Sequence, residues 1–472
     1  MKTYFKVITF LLISFFLINC TKKDETPADL EINDFIWKGL NAYYYWQGEI
    51  PNLSDTRFSS SRELNAYLGV ERDPAVFFES LLYQRNSIDK WSWIVDDYIA
   101  LEKSLQGISK HNGMEFGLVA VPSSSTALFG YVRYVLPNTD AQNKNVQRGM
   151  LFNAINSTPI TRSNYRSLLF SSDSYTVNFA DYNGGTPISN GNTVTLTKSE
   201  YQENPIFIAK TITVGTNKIG YLMYNSFSSD FDSQLNAAMA TLKADGITDL
   251  ILDLRYNGGG SVRTARYLSS MITGQFTGQL FSKNYWNAKA QSSFPPESLI
   301  DNFTDNINTE KVQESINSLG FSKVYIIATG STASASELVI NSLKPYIDVQ
   351  LVGTKTLGKY VASVTLYDSP NFLRAGASQN HTWALQPIII EIKNKLDTND
   401  KDGFDPNILL SEMYDNLGVL GDLSDPLLQR TITYITTGAK GRAFPNNMLF
   451  EEVTNSKLAL PTRNNMFVNL KN

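Results

Sequence analysis

The stretch Thr329-Gly330-Ser331-Thr332-Ala333-Ser334-Ala335-Ser336-Glu337 follows an apolar run that reads as a strand, Lys323 to Ala328, and opens a run that reads as a helix. A serine at such a corner sits on a sharp turn, its hydroxyl exposed, with unpaired N–H groups of the first helical turn beside it to stabilise an oxyanion. Serine-rich helix starts usually serve only as caps, and Glu337, three residues beyond Ser334, fits a capping box. Two other segments weigh against capping alone. Arg255-Tyr256-Asn257-Gly258-Gly259-Gly260 is a glycine turn after a strand, and its N–H groups can approach a substrate carbonyl without side-chain hindrance. Gly353-Thr354-Lys355-Thr356-Leu357-Gly358-Lys359 places a lysine 25 residues after Ser334. A lysine made neutral by burial can take the proton of a serine hydroxyl, so a Ser–Lys dyad needs no histidine.

Composition narrows the chemistry further. His111 and His381 are the only histidines and Cys20 the only cysteine of 472 residues, which excludes multi-His metal centres, internal disulfides and a cysteine nucleophile within the folded body. With 41 Lys+Arg against 45 Asp+Glu, the net charge of −4 excludes a nucleic-acid binder held by bulk positive charge. Asp397, Asn399, Asp400 and Asp402 before Gly403 imitate a calcium loop, but counting from that glycine puts Thr398 at the first ligand position and Leu409 at the twelfth. No Walker or dinucleotide fingerprint occurs. No cofactor and no metal are therefore expected.

The elements that must position these residues follow from the hydrophobic pattern. From about residue 205 strands and helices alternate: strand Lys218 to Phe227, helix Gln234 to Ala244, strand Asp249 to Leu254, helix Arg263 to Ile272, then strand Lys323 to Ala328, helix Ser334 to Leu343, strand Val349 to Val352 and strand Val361 to Leu366. That alternation predicts α/β layers around a largely parallel sheet, whose sites lie where strands end and helices begin. Residues 31–100 read as a small helical region with Asp34 and Asp73 as N-caps, its aromatic clusters Tyr43 to Trp46 and Trp91 to Trp93 forming its core. Residues 101–200 carry short apolar runs between Ser/Asn/Gly/Pro turns and read as a mostly β module with one helix near Asn164 to Phe170. Residues 205–440 then form the core and 441–472 a C-terminal tail.

Gly149 to Ile160 resembles the "G-D-x-I-x-x-I-N-G-x-P-V" stretch of PDZ domains, with Met150 for the usual Asp and Ser157 for the usual Gly. The resemblance implies capture of an extended peptide C-terminus by strand addition, with Gly113 in the carboxylate loop and Phe116 on the receiving strand.

Asp253-Leu254-Arg255-Tyr256-Asn257-Gly258-Gly259-Gly260, Thr332 to Glu337 and Gly353 to Lys359, in this order, resemble the motifs of the C-terminal processing peptidases, or tail-specific proteases. Gly403-Phe404-Asp405-Pro406-Asn407 is similar to a further family segment, so the resemblance covers roughly 100–440. It implies a Clp/crotonase-like α/β peptidase core with an inserted or preceding PDZ-like domain and protein or peptide substrates with free C-termini. It also implies Ser334 as nucleophile, Lys359 as general base, and the N–H groups of Ala335 and of Gly258 or Gly259 as oxyanion hole. The family often has Gly after the lysine and a Gln four residues beyond it. Tyr360 and Ser363 stand there instead, and Ser363 is the candidate third member. Two rivals are a Ser–His hydrolase using His381 and a peptide-binding lipoprotein without catalysis.

The N-terminus adds a location. Lys2 and Lys6 precede an apolar run, Val7 to Ile18, too short for an ordinary spanning helix, and Leu17-Ile18-Asn19-Cys20 resembles a bacterial lipobox. Residues 1–19 are expected to be a signal peptide, Cys20 the lipidated residue and 20–30 a tether. With Thr21 and not Asp next, general lipoprotein sorting points to the outer membrane, facing periplasm or cell surface; Lys22-Lys23-Asp24-Glu25 resembles a surface-export tag as much as a solvated tether.

Overall fold

The computed structural model describes residues 26–182, 186–441, 451–460, 462, 464–468 and 470. The signal and Cys20 expectations fall outside them. At the centre is a six-stranded sheet in the order Ile206–Val214, Asn217–Tyr224, Asp249–Asp253, Lys323–Ala328, Asp348–Gly353 and Ile408–Leu409. The first pair is an antiparallel hairpin and every later pairing is parallel. Its inner strands, Asn217–Tyr224, Asp249–Asp253 and Lys323–Ala328, are largely buried because both faces are covered. Leu250, Leu252, Val324 and Ile326 join one apolar cluster with the helices Val262–Thr273 and Ala335–Leu343. Ile251, Tyr325 and Ile327 join another with the helix Pro426–Thr437. The alternation of side chains along each strand thus decides which layer each residue supports.

Register brings the three chemical segments together. Asp253 pairs with Ile327, and Ala328 with Gly353, so three neighbouring parallel strands end at one level. The glycine turn, the Ser334 corner and the Lys359 loop leave from those three ends. At Gly353, with φ +130°, a Cβ would stand 2.0 Å from the Ala328 carbonyl oxygen, so only glycine lets the third strand close on the second there.

A second six-stranded sheet runs Gly260–Ser261, Met466–Phe467, Val361–Ser363, Ile388–Lys393, Leu280–Trp286 and Ile300–Asn302. Residues 101–200 form a β module with its own apolar core, including Phe116, Leu118, Phe152, Val177 and Leu196, and a helix at Tyr165–Phe170. The long strand Ile188–Thr197, mostly exposed, escaped the periodicity because few of its residues are apolar.

The N-terminal region holds the helices Glu31–Tyr43, Ser61–Leu68 and Pro74–Ser80. Asp73 caps the third helix, accepting from the N–H groups of Ala75 and Val76. Asp34, in contrast, lies inside the first helix, buried and paired with Lys38, because chain winding starts earlier, at Ala28. Phe35, Ile36, Leu40 and Tyr44 share the apolar cluster of Leu366, Leu385 and Ile389, so this region packs into the core instead of standing apart from it.

Candidate active site

Ser334 sits at φ +68°, ψ −117°, outside the regions an L-residue prefers, immediately before the helix Ala335–Leu343. Such strain persists only where surrounding structure over-determines it. Here Ala333 N–H donates to the Asn257 carbonyl at 3.1 Å, and Ser334 N–H donates to Glu337 Oε2 at 2.8 Å. The residue is fully buried, and its Oγ has no hydrogen-bond partner among the described residues. Gly259 lies against it, with φ +110° and a hypothetical Cβ only 2.6 Å from Ser334 Cβ. Any side chain at 259 would collide with Ser334 and with the Asn465 carbonyl oxygen. Gly259 N–H donates to Asn257 Oδ1 at 2.9 Å and is thereby spoken for. The N–H groups of Gly258 and Ala335 have no acceptor among the described residues.

Lys359 is almost fully buried. Its Nζ donates to the Asn464 carbonyl at 2.8 Å and lies 5.2 Å from the ring centroid of Trp91. Burial pulls its pKa down to about 7, against the opposing pull of the Asp89 and Glu337 carboxylates. An amine in that range is neutral often enough near pH 7 to accept a proton. Asp89 is itself fixed by the Tyr44 hydroxyl at 2.8 Å and by the N–H groups of Trp91 and Ser92.

Glu337 connects the two halves. Its Oε2 accepts from the N–H groups of Ser334 and Lys359, both at 2.8 Å, and its Oε1 from Thr356 Oγ1 at 2.6 Å and Gly358 N–H at 2.7 Å. The capping role foreseen for it accounts for the first bond only. The other three tie the Lys359 loop to the Ser334 corner, although burial raises its carboxyl above the ordinary range.

Ser363 Oγ bonds to Gln386 Oε1 at 2.8 Å and Asn465 Oδ1 at 2.9 Å; no described bond joins it to Lys359. Gly113, at φ +96°, donates its N–H to His111 Nδ1 at 2.7 Å. The Phe116 N–H, on the strand Met114–Ala120, donates to Ser456 Oγ at 3.0 Å. His381 has both ring nitrogens engaged, Nε2 with Asp368 at 3.1 Å and Nδ1 with the Trp383 N–H at 3.2 Å, and it packs on Phe35. A histidine so held has no nitrogen free for a serine proton.

The glycine turn is anchored from behind. Arg255, fully buried, binds Asp253, Glu412 and Asp425. From the β module, Arg148 binds Glu412 at 2.7 Å and the Tyr256 hydroxyl at 2.8 Å, while Arg133 reaches Ser331 Oγ at 2.9 Å. Sequence reasoning missed Trp91, Asp89 and Asn464. Trp91 stood out as part of an aromatic cluster, but aromatic density alone does not separate a core ring from one lying over an amine.

The parallel sheet thus brings a strained serine, a buried lysine and a glycine turn to three adjacent strand ends of an α/β core. The fold is similar to that of a structure from Bacteroides fragilis assigned to the S41 proteases, with TM-score 0.65 and 23% identity over 86% of this chain and 97% of that one. It is also similar to the photosystem II D1 C-terminal processing protease, with TM-score 0.50 and 16% identity over 89% and 100%. The profile of Peptidase family S41 matches residues 218–374, and that of the Peptidase S41 N-terminal domain matches residues 31–93. Residues 218–374 are thus similar to peptidase family S41, and residues 31–93 to the N-terminal domain found in that family. A protein named as a CtpA-like serine protease in Staphylococcus aureus (strain N315) is 29% identical over 151 residues, 31% of this chain and 26% of that protein. Its counterpart in Staphylococcus epidermidis is 27% identical over 183 residues, 37% of this chain and 34% of that protein. The chain thus spans about a quarter to a third of the length of these curated relatives.

Proposed function

We propose that this chain is a serine endopeptidase acting on protein or peptide substrates through a Ser334–Lys359 dyad. The observation that carries the reading is a buried lysine amine with a pKa of about 7 on a loop that Glu337 ties to the backbone of a strained, buried serine. Ser334 Oγ attacks the peptide carbonyl carbon while its proton passes to the neutral Lys359 amine. The N–H groups of Gly258 and Ala335 receive the oxyanion; Gly259 contributes absence of bulk and not a donor, because its N–H is held by Asn257. Collapse of the tetrahedral intermediate breaks the C–N bond, and Lys359 returns its proton to the leaving amine. Water then attacks the ester, giving its proton to Lys359, which hands it back to Ser334 as the acyl group leaves. Ser334→Ala and Lys359→Ala, assayed on casein and on a tailed peptide, are each expected to abolish cleavage with folding intact. Wild-type rates in both would refute the mechanism.

The β module is assigned the selection of substrates by their free C-termini, by strand addition at Met114–Ala120. Support comes from that strand's edge, which takes an extended segment by backbone pairing. One peptide carrying a free or an amidated C-terminus should be cut at different rates, and equal rates would remove carboxylate recognition. A lipid anchor at Cys20 completes the reading. Cys20→Ser should release the protein from the membrane fraction, and continued attachment would exclude the anchor.

A further inference from the structure

The extended segment on Met114–Ala120 belongs to this chain. Glu452–Asn455 runs antiparallel to it, with Glu452 opposite Val119, Thr454 opposite Leu118 and Asn455 opposite Gly117. Ala120 N–H donates to the Glu451 carbonyl at 2.9 Å, and Ser456 Oγ takes up the Phe116 N–H at 3.0 Å. Val453 packs on the core of the β module. The chain then crosses to the core, where Lys457 Nζ donates to the Asn225 carbonyl at 2.9 Å.

Beyond that crossing the tail enters the serine site. Asn464 gives its carbonyl to Lys359 Nζ at 2.8 Å, and its Oδ1 lies 3.0 Å from the position a Cβ would take on Gly258. The Asn465 carbonyl oxygen and Ser334 Oγ both stand 2.7 Å from the Cβ position of Gly259, so the tail backbone lies across the glycine turn beside the serine hydroxyl. Met466–Phe467 is then a strand between Gly260–Ser261 and Val361–Ser363, parallel to both, and Val468 N–H donates to the Ser363 carbonyl at 3.0 Å.

We propose that this C-terminal segment is an intramolecular peptide ligand of the chain's own cleft, which keeps the enzyme latent by holding the Lys359 amine on the Asn464 carbonyl and away from Ser334. The inference rests on the peptidase reading and names the occupant of that same site. The segment uses the contacts an extended substrate would use: edge pairing on the β module, then strand addition beside the glycine turn and the loop after Lys359. It is arrested, not poised for cleavage. The amine that should face the serine donates to a peptide carbonyl, and the serine hydroxyl is left with no described partner.

A tethered ligand acts at an effective concentration of the order of 1 mM. A tail that binds as a free peptide with a Kd of only ~10–100 µM therefore leaves the cleft open for about 1–10% of the time, and deleting it should raise kcat/KM roughly 10- to 100-fold. The test compares the full chain with one ending at residue 450, and with full-length Met466→Asp/Val468→Pro, which breaks the second docking strand should the deletion fold poorly. Cleavage of a fluorogenic peptide should rise at least tenfold in the altered chains, and a synthetic peptide of residues 451–470 should inhibit them competitively. In the Ser334→Ala background, the same peptide carrying fluorescein should bind the tail-less or tail-broken chain and bind the full chain at least tenfold more weakly. Equal cleavage by intact and altered chains, or equal peptide binding by both, overturns the proposal. So does a loss of activity in both altered chains that the peptide restores in trans, since the tail would then be part of the catalytic fold. If no form cleaves while the peptide still binds only the tail-altered chains, the peptidase reading fails and the docking stands.

Discussion

Glu337→Gln is the most searching single change, because one carboxylate holds four donors from two segments. An amide keeps one acceptor oxygen, so two of the four donors must face an NH2 group. Hydrogen bonds to a charged acceptor contribute about 1.5–3 kcal/mol each, so their loss costs about 3–6 kcal/mol. Removing a desolvated charge returns part of this, since burial already raises the carboxyl above its usual range. A net destabilisation of about 3 kcal/mol is expected by denaturant unfolding. If the ties position the dyad, kcat/KM on a fluorogenic peptide should fall by about 10²-fold, equivalent to ~2.7 kcal/mol of barrier. The readout that a merely structural role would not move is the pH profile. Glu337 favours the protonated amine, so its neutralisation must lower the pKa of Lys359 below its present value of about 7, shifting the alkaline-rising limb of kcat/KM to lower pH. An unmoved limb together with wild-type kcat/KM would refute the positioning role.

On the proposed dyad mechanism, cleavage by the full chain should increase as pH rises through about 7, where the Lys359 amine loses its proton, and a rate independent of pH between 6 and 8.5 would exclude that amine as base. The same group sets a stability trend. Its folded pKa lies below the unfolded one, so the unfolded chain binds the extra proton, and the Lys359 contribution to unfolding free energy should rise from about pH 7 to about pH 10.4. Lys359→Met removes that slope, so the pH-dependence of Tm should differ between the two proteins over this interval, and identical curves would refute the buried amine. Gly259→Ala puts a Cβ 2.6 Å from Ser334 Cβ at φ +110° and should abolish turnover and destabilise by about 2–3 kcal/mol; retained activity would show that the turn can move away. Arg255→Met leaves Asp253 and Asp425 buried without their cation and should cost about 3–5 kcal/mol in chemical denaturation, whereas an unchanged midpoint would mean that the three charges do not act as one unit.

Much of the core was legible residue by residue. The helix foreseen from Ser334 to Leu343 is Ala335–Leu343, and the strand foreseen over Lys323 to Ala328 has those bounds. Both are long, strongly apolar and bounded by turn residues, so local pattern and tertiary burial demand the same thing. The short helix foreseen near Asn164 to Phe170, found at Tyr165–Phe170, was legible too. The Ile188–Thr197 strand was not, because an exposed edge imposes no apolar period.

What the sequence by itself determined is the inventory: one cysteine, two histidines, and a serine corner, a glycine turn and a lysine loop each placed just after an apolar strand. Those choices are local, made by residue type and by the few neighbours on either side, and they exclude most chemistries before any packing is known. Only the tertiary structure decided how the inventory is wired. Strand order made the three segments neighbours, register set them at one level, and burial from all sides lowered Lys359 to about 7, a shift no stretch of sequence encodes. The separations involved explain why. Trp91 lies over an amine 268 positions away in the chain, Glu337 spans two loops, and Asn464 reaches Lys359 across |i−j| = 105. Hydrophobic periodicity is a property of windows of about 11–18 residues. Contacts of that range are fixed instead by which surfaces the packed sheets and layers bring together, and here they set Asn464 and the strand Met466–Phe467 against the cleft beside Ser334.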